Sequence, residues 1–83
     1  MRELTEMKLT IPFHKPDMIQ AIDGCAVHHF DSQQGWCIDA QKKDYVWPRA
    51  GQTVRLKGEE KSRLIDRAYR GETFYDLIFD VGE

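Results

Sequence analysis

Residues 59–70, with the sequence EEKSRLIDRAYR, decide the fold class. Their apolar side chains recur at the spacing of one helix face: Leu64, Ile65, Ala68 and Tyr69. Acidic Glu59 and Glu60 suit the first turn of a helix, and Gly71 stands where a helix commonly ends. The pattern therefore predicts a main helix over residues 59–70.

A second helical pattern lies near the start of the chain, in residues 16–23. Met18, Ile19 and Ile22 have helical spacing, Pro16 suits a first helical position, and Gly24 suits the residue after the end. We expect a short helix of about two turns here.

The remaining regular patterns favour strands. Apolar and polar residues alternate in residues 7–13 and 73–81, and shorter β-like runs occupy residues 45–47 and 53–57. Residues 25–31 and 36–40 flank the polar connector 32–35, which predicts a hairpin that pairs Asp31 with Trp36. Together these elements predict an α+β two-layer sandwich. It would consist of a mostly antiparallel sheet of four to five short strands, with both helices on one face.

Length and composition indicate one small domain. The 83 residues are 41% hydrophobic, which is enough apolar material for a single core. We expect residues 7–83 to form this domain and residues 1–6 to be an N-terminal extension that could be flexible. Neither a secretion signal nor a membrane-spanning run is recognisable, so we expect a cytoplasmic protein with reduced Cys25 and Cys37.

Two kinds of chemical site are suggested by the cysteine and histidine residues and then disfavoured by their spacing. Zinc would need close ligands, but strand geometry places Cys25 and His28 on opposite faces. The hairpin register puts Cys37, His28 and Asp39 on one face, as in a thiol enzyme, yet nothing nearby predicts an oxyanion hole. We therefore expect no metal, no other cofactor and no catalytic residue.

Charge is unevenly distributed along the chain. The net charge is −2, but residues 41–70 contain nine basic and four acidic side chains. In the predicted helix, Arg63, Arg67 and Arg70 would form a stripe on the face opposite the apolar arc. Exposed arginine and aromatic side chains are the ones enriched at protein interfaces.

These features predict a non-enzymatic binding domain that acts as a regulator or inhibitor by docking on a larger protein. The residues expected to bind this partner are Tyr45, Trp47, Arg49, Arg63, Arg67 and Arg70. An alternative is a nucleic-acid-binding module that uses basic side chains of the 42–70 segment: Lys42, Lys43, Arg55, Lys57, Lys61 and Arg67. The negative net charge weighs against the alternative. We expect no association with membranes.

Overall fold

Nine strands and no helix make up residues 6–80, the part of the chain that the computed structural model describes. The strands are β1 (Glu6–Pro12), β2 (Ile19–Ile22), β3 (Cys25–Ala26), β4 (His29–Asp31), β5 (Gly35–Asp39), β6 (Asp44–Val46), β7 (Thr53–Leu56), β8 (Arg63–Arg70) and β9 (Phe74–Asp80). The α+β prediction is therefore wrong, because the described residues are all-β. Residues 1–5, which hold most of the predicted extension, lie outside the described residues, and Glu6 belongs to β1.

The strands form two antiparallel sheets in one small domain. The larger sheet has the order β1-β9-β8-β7-β2-β3, and the smaller has the order β4-β5-β6. Strand β8 pairs with β7 through Arg63 and Leu64 and with β9 from Ile65 to Arg70. It therefore belongs to both halves of the larger sheet.

A β-bulge explains why the main helix was predicted in error. Ile65 pairs with Phe79 and Arg67 pairs with Ile78, so Asp66 is an extra residue in β8. Beyond the bulge, Ala68 lies opposite Leu77, on the same face as Ile65. Two inward side chains are thus three residues apart, a spacing that is typical of a helix although the backbone is a strand.

The short helix predicted at 16–23 fails for the same reason. Ile19 pairs with Leu56 and Ile22 pairs with Val54, with a register shift between them. Both isoleucines are buried on one face in spite of their separation by three residues. The segment is β2, preceded by a turn.

The strands expected from period-two alternation are confirmed, with one error in register. Strands β1 and β9 occupy the regions expected, and Tyr75, Leu77 and Phe79 are buried as predicted. The hairpin of β4 and β5 is present, but Asp31 pairs with Gly35 and not with Trp36. This one-residue change in register shortens the connector and alters the shared faces, because Phe30 lies opposite Trp36 and His29 lies opposite Cys37.

The chain between residues 25 and 31 passes from one sheet to the other. The Val27 amide donates to the Gln20 carbonyl of β2, and the next amide, that of His28, donates to the Cys37 carbonyl of β5. The two sheets are therefore joined by an almost continuous extended segment.

The core lies between the inner faces of the sheets. The largest fully buried side chains include Trp36 of the smaller sheet and Phe79, Ile11, Ile65 and Leu77 of the larger sheet. Partly buried residues complete it at one end, among them Phe13, Phe30 and Trp47. These rings bring residues from distant parts of the sequence together at this end of the domain.

Gly35 is the residue at which the smaller sheet is most sensitive to substitution. Its φ is +104°, and an added Cβ would lie 2.5 Å from the Val46 carbonyl oxygen. We expect Gly35→Ala to lower the free energy of unfolding by about 2–5 kcal/mol, because backbone strain and a clash with the main chain combine. Urea titration followed by tryptophan fluorescence would measure the loss.

Gly51→Ala provides the matched control. Gly51 also has a positive φ, +91°, but no heavy atom lies within 4 Å of an added Cβ. Only the conformational cost of about 1–2 kcal/mol should remain. Equal losses in the two variants would show that the contact with Val46 is not what requires glycine at position 35.

Candidate functional site

Trp47 is the centre of a cluster of aromatic rings. Its ring centroid lies between 5.1 and 5.8 Å from the centroids of four other rings: Phe13, Phe30, Trp36 and Tyr75. The side chain remains half-buried, so one part of the ring packs in the core and another reaches the surface. Trp47 is therefore both a core residue and a surface residue.

Arg70 covers the exposed side of this ring. Its guanidinium carbon lies 4.3 Å from the centroid of the Trp47 ring, which is a close cation–π contact. Arg70 reaches this position because it pairs with Tyr75 across β8 and β9, on the face that packs against Trp47. The strand register thus places a charged side chain on the aromatic cluster.

Arg49 lies beside the same cluster and follows Pro48. The Tyr75 hydroxyl donates a hydrogen bond to the Pro48 carbonyl, and the Arg49 amide donates to Gln52 Oε1 at 3.0 Å. Burial raises the pKa of Tyr75, while the charges of Arg70 and Arg49 oppose this rise. The Arg49 backbone therefore follows the carbonyl that the Tyr75 hydroxyl binds, and Arg70 lies opposite Tyr75 in the strand register. We call Trp47, Arg49 and Arg70 the Trp47 surface.

The other three predicted partner-binding residues lie elsewhere. Arg63 pairs with Glu59 at 2.9 Å and contacts the Phe79 ring, at the opposite end of β8 from Arg70. Arg67 lies on the other face of β8 and pairs with Glu6 at 2.7 Å. The predicted arginine stripe does not exist, because alternate residues of a strand point to opposite faces.

Tyr45 also lies apart from the Trp47 surface. It pairs with Cys37 across β5 and β6, whereas its neighbour Val46 pairs with the core residue Trp36. Its hydroxyl is 2.7 Å from His29 Nε2, and partial burial, followed by the nearby Cys37 and Asp31, raises the pKa of Tyr45. Its position on the far face of the smaller sheet follows from the alternation of strand residues.

Most residues of the predicted nucleic-acid surface are engaged or dispersed. Lys57 pairs with Asp17 at 3.1 Å, and Arg55 donates to the Glu59 carbonyl at 3.3 Å. Arg67 is held by Glu6, as described above. The others occupy separate loops: Lys42 and Lys43 lie in the β5–β6 turn, and Lys61 lies between β7 and β8.

The thiol arrangement differs from the one expected. Cys37 is fully buried and lies opposite His29 in the hairpin. The expected arrangement of Cys37, His28 and Asp39 on one face is therefore not formed. His29 and Tyr45 lie on either side of Cys37, on the two neighbouring strands. The reason is the hairpin register: His28 was expected opposite Asp39, but pairing Asp31 with Gly35 brings His29 opposite Cys37. Within residues 6–80, no three His, Cys, Asp or Glu side chains form a group that could hold a metal ion.

Two exposed apolar side chains of β8 were not predicted as surface residues. Leu64 and Tyr69 are 63% and 62% exposed, and each was expected on the buried face of a helix. Tyr69 lies opposite Asp76, whose carboxylate accepts from Thr10 Oγ1 at 2.6 Å. The bulge at Asp66 explains why both are exposed, because simple alternation would place residues five apart on opposite faces.

A cleft opens where β2 and β4 diverge. It has a volume of about 270 Å³ and is lined by Pro16, Asp17, Ile19, Gln20, Val27, His28, His29, Phe30 and Trp36. The Trp36 indole N–H at its base donates to the Pro16 carbonyl at 3.0 Å. The acidic side chain at its edge, Asp17, is already paired with Lys57.

Comparison with known proteins gives no family for this chain. No protein-family model, curated protein or solved structure matches it. Over the described residues, no helix has the length and apolar character needed to cross a membrane.

The hydrogen bond from Tyr75 to Pro48 should stabilise the domain measurably. We expect Tyr75→Phe to lower the free energy of unfolding by about 1–3 kcal/mol, because the buried Pro48 carbonyl loses its donor. Chemical denaturation at neutral pH would measure this. Tyr45→Phe removes a hydroxyl whose hydrogen bond with His29 is exposed, and it should change stability by less than about 0.5 kcal/mol. Equal effects would contradict the importance of this bond.

Alkaline pH should destabilise the protein through the same residue. Burial raises the pKa of Tyr75 above the value of about 10 expected in the unfolded chain. The folded state therefore favours the neutral phenol, and its stabilising contribution is lost as the pH rises through the folded-state pKa. Unfolding measured between pH 9 and about 12 should show a shallower decline for Tyr75→Phe than for the unchanged protein. Identical slopes would contradict the assignment.

Proposed function

We propose that the chain is a small non-enzymatic binding domain of the cytoplasm. It acts as a regulator or inhibitor by docking on a larger protein through the Trp47 surface. One observation supports this most directly: within residues 6–80, Arg49 and Arg70 have no ion-pair partner, and Arg70 lies over the Trp47 ring. Tryptophan and arginine are the residues that most often dominate the free energy of protein binding.

The packing around Trp47 favours binding because it reduces the entropy that a partner must overcome. Four rings hold the indole, and stacking on the indole holds the Arg70 guanidinium. A side chain that is already ordered loses less freedom when a partner docks. The Trp47 surface is therefore better organised than the flexible lysines of the loops.

Nucleic-acid binding has less support because a phosphate backbone requires a row of available cations. Lys57 and Arg67 are paired with carboxylates, and Lys42 and Lys61 lie on loops of different sheets. The net charge of −2 also repels a polyanion. Protein docking needs only one local surface, and the Trp47 surface provides one.

Affinity capture with charge-matched variants would test the proposal. Three proteins would be crosslinked to their partners in nuclease-treated lysate: the unchanged protein, the double variant Arg49→Gln/Arg70→Gln and the double variant Lys42→Gln/Lys61→Gln. We expect proteins captured by the unchanged chain to be retained by the lysine variant and reduced roughly tenfold by the arginine variant. Quantitative mass spectrometry would measure the ratios.

Trp47 itself is unsuitable for this test because its removal would disrupt the core. Circular dichroism and urea titration should first establish that both double variants fold as stably as the unchanged chain. Equal capture by the arginine variant and the unchanged protein would contradict docking through the Trp47 surface. Capture that is seen only when the nuclease treatment is omitted would instead favour the nucleic-acid alternative.

A further inference from the structure

The stacked geometry of Arg70 determines which chemical group it can bind. The guanidinium carbon lies 4.3 Å from the centroid of the Trp47 ring, so the ring covers one side of a group that carries five N–H donors. Those donors make no hydrogen bond with any of the described residues. They remain available to an acceptor that approaches from the side of the ring.

Arg49 adds a second positive charge at the same place. Its backbone is fixed by Gln52, and the preceding carbonyl is fixed by Tyr75. Its side chain is exposed and forms no ion pair within residues 6–80. By contrast, Arg63 and Arg67 each have a carboxylate partner in the same chain.

We propose that Arg49 and Arg70 together bind the carboxylate of an Asp or Glu side chain on the partner protein. An apolar residue next to that carboxylate would pack against the exposed edge of Trp47. This inference rests on the proposed function and specifies the chemistry of the partner. Arg49 and Arg70 both carry a positive charge and form no ion pair within residues 6–80. Charge complementarity therefore identifies an anion as the group that binds them.

A carboxylate fits this site better than a phosphate. Two planar guanidinium groups present paired N–H donors that match the two oxygens of a carboxylate. Phosphate sites usually add main-chain amides from a helix N-terminus or a glycine-rich loop. The described residues contain no helix, and the amide of Arg49 is already bonded to Gln52.

Nuclear magnetic resonance titration would test the inference on the full chain. The probe is a capped peptide that repeats Ser-Glu-Phe, and its control is the same peptide with Gln in place of Glu. We expect the Glu peptide to shift the side-chain Nε–Hε signals of Arg49 and Arg70 and the indole signal of Trp47. The Gln peptide should bind at least roughly tenfold more weakly, because it lacks the charge.

Three variants separate a specific site from general attraction. Arg49→Gln and Arg70→Gln should each weaken the Glu peptide roughly tenfold. Arg70→Lys keeps the charge but loses the planar stacking, so it should weaken binding several-fold. Lys42→Gln makes the same charge change on a distant turn and should leave affinity unchanged. Unaltered backbone signals away from the substitution would show that each variant is folded.

Several results would overturn the inference. They are equal binding of the Glu and Gln peptides, unchanged affinity in Arg70→Lys, and tighter binding of inorganic phosphate or single-stranded DNA at the same signals. If the Glu peptide does not bind but capture of lysate proteins still requires Arg49 and Arg70, the carboxylate inference is rejected and the docking proposal stands. Loss of both results would reject the docking function as well.

Discussion

The aromatic cluster around Trp47 is the interaction on which the rest of the domain depends. Its rings come from β4, β5, β9 and the segments that follow β1 and β6: Phe30, Trp36, Tyr75, Phe13 and Trp47. Because residues 6–80 contain no helix that could cover either sheet, these rings fill the end of the interior where the sheets meet. Each ring pair contributes about 0.5–1.5 kcal/mol beyond the burial of its area. The cluster therefore fixes the position of the smaller sheet relative to the larger one.

The sequence predicts the regular strands but not the irregular ones. Strands β1 and β9 alternate without interruption and pair along their whole length. Strands β2 and β8 each contain a bulge, which moves two inward residues from a spacing of two to a spacing of three. In a single sequence, that spacing indicates a helix equally well. Only the pairing with β7 and β9, which depends on distant residues, distinguishes the two structures.

The same distinction decides which site residues could be predicted. Trp47 and Arg49 precede or follow a turn, and their neighbourhood depends little on the error at residues 59–70. Arg70 joins them because of its strand register, whereas its predicted position came from a helix that is absent. A helix, which turns 100° per residue, would place Arg63 and Arg67 on the same side as Arg70. In strand β8, Arg67 lies on the other face and Arg63 lies at the opposite end. Local sequence thus identifies the aromatic anchor, and tertiary pairing selects its charged neighbour.

The contact between Arg70 and the Trp47 ring links the proposed docking surface to the core. Because Arg70 lies on a ring that four other rings hold, its guanidinium cannot reorient freely without disturbing a contact of 4.3 Å with the indole. Under the proposed docking function, a partner would meet a charge whose direction is already set, and misplaced anions would gain little from it. Arg67 has no such support, and its charge is satisfied within the chain by Glu6. Under the proposed docking function, selectivity would thus depend on the orientation of the Arg70 guanidinium and not only on the number of cations.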